Sequence, residues 1–108
     1  LISQSHGQSL MAYFRARYAR TGLYLMDEPE TALSPRTQIE LVDLLIKMSR
    51  EEHAQFVIAT HSPIILACPG ARIYSFDHVP IRALKYEETD HYQLFKAFMG
   101  NPRGFFGQ

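Results

Sequence analysis

Two short apolar runs constrain this chain most, because each stops abruptly at polar residues that can do chemistry. The first is Leu23-Tyr24-Leu25-Met26, ended by Asp27-Glu28-Pro29. The second is Gln55-Phe56-Val57-Ile58-Ala59-Thr60, ended by His61-Ser62-Pro63. Short runs without polar alternation are expected of strands buried on both faces of a parallel sheet. Between them, Ser34-Pro35 reads as a helix start, with Ser as cap and Pro in the first turn. Ile39, Leu41, Val42, Leu45, Ile46 and Met48 then give that helix a wide apolar face as far as about Arg50. Strand, helix, strand in this order predicts a parallel pair joined by a helical crossover. Sheets of this kind bind ligands at the carboxyl ends of their strands. Asp27-Glu28 and Thr60-His61 therefore leave the sheet at one edge if the two strands are neighbours.

The rest of the chain fits an α/β layer. Leu10, Met11, Phe14 and Tyr18 recur at helical spacing between Gln8 and Arg20, and Gly22 ends that helix. Ser62-Pro63 opens a short helix through Leu66, and Pro69-Gly70 is a turn. Ala71 to Phe76 reads as a third strand of the order helix, strand, helix, strand, helix, strand. Ile81 to Tyr86 is its candidate hairpin partner, with the turn around Asp77-His78-Val79-Pro80. A helix is predicted from Thr89 to Met99, and Gly100 to Gln108 should be irregular.

Composition narrows the class. At 108 residues the chain suits one small domain, and its 46% apolar content permits a core. Lys plus Arg and Asp plus Glu number 11 each, which argues against a strongly basic nucleic-acid surface. Cys68 is the single cysteine, so there is no intrachain disulfide and no multi-cysteine zinc site. A reducing, cytoplasmic setting is the expectation. No apolar run approaches a membrane span, and there is no secretory signal. The chain opens Leu1-Ile2-Ser3 rather than with Met. That reads as a piece of a longer protein, a trimmed tag being the alternative.

Three places carry candidate chemistry. An acidic residue at the tip of a buried strand is rigid and can hold Mg²⁺ through water, which suits Asp27. A second carboxylate beside it can accept a proton from an attacking water, which suits Glu28. The alternative is that Asp27-Glu28-Pro29 is only a polar loop entry. His61 at the next strand end can hydrogen-bond a phosphate or orient water. The alternative there is a cap for the helix that begins near Ser62-Pro63. Ser5-His6-Gly7-Gln8-Ser9 precedes a helix, where free N–H groups favour an anion, with Ser5 and Gln8 as further donors. An ordinary Ser-rich helix cap explains the same residues. His53, His78 and His91 stand in no metal-ligand spacing.

Taken together and in this order, these pieces resemble the ATP-binding-cassette ATPase superfamily. The likeness is nearest to its soluble branch, akin to the overcoming-lysogenization-defect, RecF-like and SMC-like groups. Gln4-Ser5-His6-Gly7-Gln8 stands where the family has its Leu-Ser-Gly-Gly-Gln signature, with Gln4 for Leu and His6 for the first Gly. Leu23 to Glu28 resembles the Walker B segment. Thr31-Ala32-Leu33-Ser34 resembles the D-loop, and His61 the switch histidine. Tyr92 to Phe106 resembles the family's C-terminal helix and aromatic tail. Each motif alone is weak; four in order, each at an element boundary, are specific. The resemblance implies the parallel-sheet core of a P-loop NTPase, with helices packed on the sheet and residues 1–108 forming its C-terminal portion. It implies ATP and Mg²⁺ as ligands, with Asp27, Glu28 and His61 acting in cis. Ser5, Gly7 and Gln8 would act in trans on the ATP of a second copy in a homodimer.

The chain holds no Gly-x-x-x-x-Gly-Lys-Ser/Thr segment; its lysines are Lys47, Lys85 and Lys96, none after a Gly-rich loop. The expectation is therefore that the chain alone binds ATP very weakly and hydrolyses none detectably. The missing N-terminal part of the domain is then its first partner. Exposed sheet faces should make the isolated chain marginally stable or self-associating. Three readings follow. The first is a part of an ATPase coupling dimerisation to DNA repair, phage defence or a toxin-like task, with nucleic acid or another protein as further partner. The second is a transporter ATPase subunit. The third is a non-catalytic oligomerisation module.

Overall fold

In the computed structural model, the described residues are 20–51 and 54–107, together with Ala12, Arg15 and Ala16. These last three are helical, and the rest of the helix expected between Gln8 and Arg20 lies outside the described residues. The chain divides at Pro69/Gly70 into two compact units.

The first unit is built on two parallel strands, β1 (Leu23–Asp27) and β2 (Gln55–Ala59). Their register pairs Leu23 with Gln55 and Asp27 with Ala59, so the two strands end side by side. The crossover between them is helix α1 (Pro35–Glu51). Ser34 caps it: the Thr37 N–H donates to Ser34 Oγ at 3.2 Å, meeting one of the orphan donors of the first turn. Thr37, Leu41, Val42, Leu45 and Met48 form its buried stripe. Ile39 does not share it. It lies two residues, more than half a turn, from both Thr37 and Leu41, and is exposed. Helix α2 (Pro63–Leu66) follows β2 and packs on α1. The core joins Met26, Leu33, Leu41, Val42, Leu45 and Ile65.

Among the described residues the sheet is covered on one face only; strands of this kind are buried on both faces in a whole domain, and an exposed face was expected of this chain alone. Burial alternates along each strand. Tyr24, Met26, Phe56 and Ile58 face inward, with the Tyr24 and Phe56 rings stacked at 5.6 Å. Leu25 is 72% exposed and its register partner Val57 55% exposed. The physical reason is the crossover: a single helix between two parallel strands can shield only the face on which it crosses. Their continuous apolar composition serves both faces, and α1 uses one.

The second unit starts at Gly70, whose φ of 79° places it in the left-handed region that glycine enters without a Cβ clash. β3 (Ile73–Ser75) and β4 (Arg82–Leu84) form an antiparallel hairpin, Tyr74 opposite Ala83. This is the hairpin expected of Ala71 to Phe76 and Ile81 to Tyr86; β3 does not join β1 and β2, as the element order had suggested. A 3₁₀ turn (Tyr86–Glu88) leads into helix α3 (Asp90–Gly100). Buried Thr89 joins them: its hydroxyl donates to the Tyr86 carbonyl at 2.7 Å and accepts the Tyr92 N–H at 3.1 Å. The tail is not irregular. Pro102–Phe105 is a 3₁₀ turn, and Phe105 and Phe106 meet Phe98 edge-on at 5.5 and 6.0 Å. No described helix is long and apolar enough to cross a membrane.

Candidate active site

The parallel register brings the two polar strand ends together. Asp27 is the last residue of β1, opposite Ala59 at the end of β2, and the Glu28 N–H donates to the Ala59 carbonyl at 2.7 Å. Glu28 and Thr60-His61 thus start from neighbouring points on one edge. Asp27, Glu28 and His61 are all exposed there, so a ligand can reach each of them.

The chain then turns sharply. Glu28 has φ 47° and ψ 57°, the left-handed region. For a residue with a Cβ this costs roughly 1–2 kcal/mol. Pro29 disfavours the ordinary helical region at the residue before it. The surroundings hold the turn in place. A 3₁₀ turn runs from Pro29 to Ala32, and Thr31 donates to the Glu28 carbonyl twice, from its N–H at 3.2 Å and its hydroxyl at 2.5 Å. Strain at a chemically equipped strand end, fixed by neighbours, is a frequent companion of function.

Glu30 ties this turn to the next strand end. Its Oε1 accepts the Thr60 hydroxyl at 2.6 Å, and its Oε2 accepts the His61 N–H at 3.0 Å. Burial pushes the Glu30 carboxyl up, but the Thr60 and His61 hydrogen bonds, with the nearby imidazole, bring it below its ordinary value. Thr60 Oγ1 in turn accepts the Ser62 N–H at 3.0 Å. Buried Ser62 caps α2, its hydroxyl oxygen accepting from the N–H groups of Ile64 and Ile65. The alternative of His61 as the cap is thereby answered: the cap is Ser62. The Ser62 hydroxyl donates to Gln38 Oε1, and Gln38 Nε2 donates to the Leu33 carbonyl at 3.1 Å. Two side chains, Glu30 and Gln38, therefore connect residues 28–33 to residues 60–62. No buried side-chain polar atom among the described residues lacks a partner.

The sequence reading named Asp27, Glu28 and His61, and the fold brings them to one edge. Ser5, Gly7 and Gln8 lie outside the described residues, as does His53. Glu30 and Gln38 were not singled out, Thr60 was named only as part of a polar strand end, and Ser62 only as part of a helix start. An acid two residues beyond Glu28 was a possible signal, but only the register tells which residue it meets. No group of three or more metal-ligating side chains occurs among the described residues. A lone strand-end carboxylate still fits Mg²⁺, which keeps its waters and takes further oxygens from phosphates.

The family model of the AAA ATPase domain matches residues 8–66. Comparison with curated proteins finds no match. The matched segment holds both strands, the helix between them and every described residue of the network at their ends. With more than half of its length under that match, the chain belongs to the AAA ATPase domain family, and its general function is of the ATPase type.

Proposed function

We propose that residues 1–108 form the C-terminal portion of an ATP-binding-cassette-type ATPase domain. It would belong to the soluble branch akin to the overcoming-lysogenization-defect, RecF-like and SMC-like groups, and two copies would close around ATP. The observation that supports this best is the register of β1 and β2, which sets Asp27-Glu28 beside Thr60-His61. In this reading Glu28 accepts a proton from the water that attacks the γ-phosphate, and the left-handed turn holds its backbone at the strand tip. His61 hydrogen-bonds the γ-phosphate and helps to orient that water. Mg²⁺, when bound with the nucleotide, would sit at Asp27 through water and neutralise phosphate charge. Ser5, Gly7 and Gln8 reach the nucleotide of the second copy, and residues 31–34 run along the interface.

Backbone and Lys contacts to the phosphates are the largest part of nucleotide affinity in such domains. The sequence holds no Gly-x-x-x-x-Gly-Lys-Ser/Thr segment. Turnover in this reading therefore belongs to a longer protein in which an upstream part supplies those contacts, in a cytoplasmic setting. The test is Glu28→Gln in the full-length protein. Loss of a positioned base should lower turnover by about 10²–10⁴-fold while ATP binding persists. Unchanged turnover would remove Glu28 from the mechanism.

A further inference from the structure

We propose that Glu30 is a positioning residue that holds the His61 loop in register with the Asp27-Glu28 strand end; this rests on the ATPase reading above. A parallel pair of strands fixes two chains relative to each other only as far as its ladder runs. Here the ladder ends at the Glu28 N–H on the Ala59 carbonyl, one residue short of Thr60 and two short of His61. The next described links are the two oxygens of one carboxylate. Glu30 Oε1 takes the Thr60 hydroxyl at 2.6 Å, and Oε2 takes the His61 N–H at 3.0 Å.

The geometry is suited to the task. Glu30 projects from the 3₁₀ turn that the left-handed Glu28 begins, so the element that aims Glu28 also aims the clamp. A carboxylate accepts at both oxygens and meets two donors, a hydroxyl and an N–H, without needing a proton of its own. An amide in its place would set an NH₂ or a single oxygen against the same two donors and lose one contact. The far side of the loop is anchored separately by Thr60 Oγ1 and Ser62 Oγ, which serve helix α2. Gln38 links Ser62 to the Leu33 carbonyl, and Glu30 is the link from residues 28–33 that takes Thr60 and His61 themselves. A one-ångström error between a base and a phosphate contact is enough to slow a reaction about 10²-fold.

The experiment uses the full-length protein and five variants: Glu30→Gln, Glu30→Asp, Thr60→Val, His61→Ala and the Glu30→Gln, His61→Ala double variant. Steady-state turnover is read together with amide hydrogen exchange at His61. Glu30→Gln should lower kcat by about 10–100-fold. KM for Mg-ATP should change by less than about threefold, because positioning is not binding. Exchange at the His61 amide should accelerate. Thr60→Val, which removes one of the two donors, should lose less, and Glu30→Asp should recover part of the Glu30→Gln loss. If Glu30 works through His61, adding Glu30→Gln to His61→Ala should cost little more than His61→Ala alone. Multiplicative losses in the double variant, or a Glu30→Gln enzyme with normal kcat, would overturn the proposal and leave the ATPase reading intact. A wild-type protein without Mg-ATPase turnover would overturn both. Should Glu30→Gln fail to fold, the Thr60→Val and His61→Ala pair carries the same cycle, with the same two outcomes.

Discussion

The two units of this chain are ordered in different ways. Residues 20–69 are organised around buried apolar side chains: Leu41 is wholly enclosed, and Met26, Leu33, Val42, Leu45 and Ile65 surround it. Residues 70–107 contain no buried apolar side chain among those described, and Phe76, Val79 and Met99 are largely exposed. Their order comes from short-range devices: a hairpin, the Thr89 cap, and rings meeting edge-on, Tyr86 with Tyr92 at 4.9 Å and Phe98 with Phe105 and Phe106. The difference bears on function. A strand end is a useful place for chemistry only if something rigid holds it, since preorganised groups need not rearrange when charge develops. The first unit has that support and the satisfied polar network beside it. The second has no buried apolar side chain among the described residues, and the family match ends before it, at residue 66.

The strongest way to break this comparison is through chemistry. Glu28→Gln should lower ATP turnover of the full-length protein by about 10²–10⁴-fold. His91→Ala in the second unit should leave it within about twofold of wild type, since in the proposed mechanism no part of the reaction rests there. A comparable loss from both would show that the second unit shares the active site. Packing gives the next largest contrast. Leu41→Ala opens a cavity in the first unit and should cost about 2–5 kcal/mol in a urea titration. Phe95→Ala removes a half-exposed ring from α3 and should cost about 1 kcal/mol or less. Equal costs would mean that the second unit is packed in solution as tightly as the first.

The sequence reveals the first unit better than the second, for physical reasons. Leu23–Met26 and Gln55–Thr60 are legible because a strand in such a sheet needs a contiguous apolar run, and Asp27 and His61 end the runs visibly. Ser34-Pro35 and Ser62-Pro63 are legible because a cap and an N1 proline are local signals. Four features are not. The left-handed Glu28 is not dictated by Pro29, which disfavours the helical region before it and favours extended backbone. The exposure of Leu25 and Val57 depends on which face α1 crosses. The hairpin of β3 with β4 is legible, but that β3 stays out of the pair formed by β1 and β2 is a question of topology. Glu30 meets partners thirty and thirty-one positions along the chain, which only the register determines. Local patterning carries no such pairing information. Ser5, Gly7 and Gln8 remain a reading of the sequence, since they lie outside the described residues.

Capping sharpens the comparison at a smaller scale. Ser62→Ala removes an acceptor for two N–H groups and a donor to Gln38 at a buried position, and should cost about 2 kcal/mol. It should also loosen residues 60–62, visible as faster amide exchange. Thr89→Ala, at a position as buried as Ser62, removes an acceptor for one N–H and a donor to one carbonyl, and should cost about 1 kcal/mol. The order of the two costs is the informative part. Thr89→Ala costing more than Ser62→Ala would mean that the second unit depends on its cap more than the first does, core or no core.

The smallest contrast is in pH. In the first unit, the folded Glu30 carboxyl lies below its ordinary value of 4.5, because the hydrogen bonds from Thr60 and His61 outweigh the burial that pushes it up. Above that ordinary value both folded and unfolded chains carry the carboxylate, and the contribution is fully present. As pH falls below it, the unfolded chain takes up the proton first, and the contribution is lost through the folded value. In the second unit, burial first, then Tyr92 and Glu87, push the Tyr86 phenol above its ordinary 10.0. There the unfolded chain releases its proton first, so stability is lost as pH rises past 10.0. Melting temperatures of wild type, Glu30→Gln and Tyr86→Phe across both ranges separate the two. The Glu30→Gln deficit should shrink only on the acid side, and Tyr86→Phe should blunt the alkaline loss alone. A Glu30→Gln deficit that stays constant through the acid range would mean that the clamp is worth the same with or without its charge, and that hydrogen bonding by shape alone holds His61.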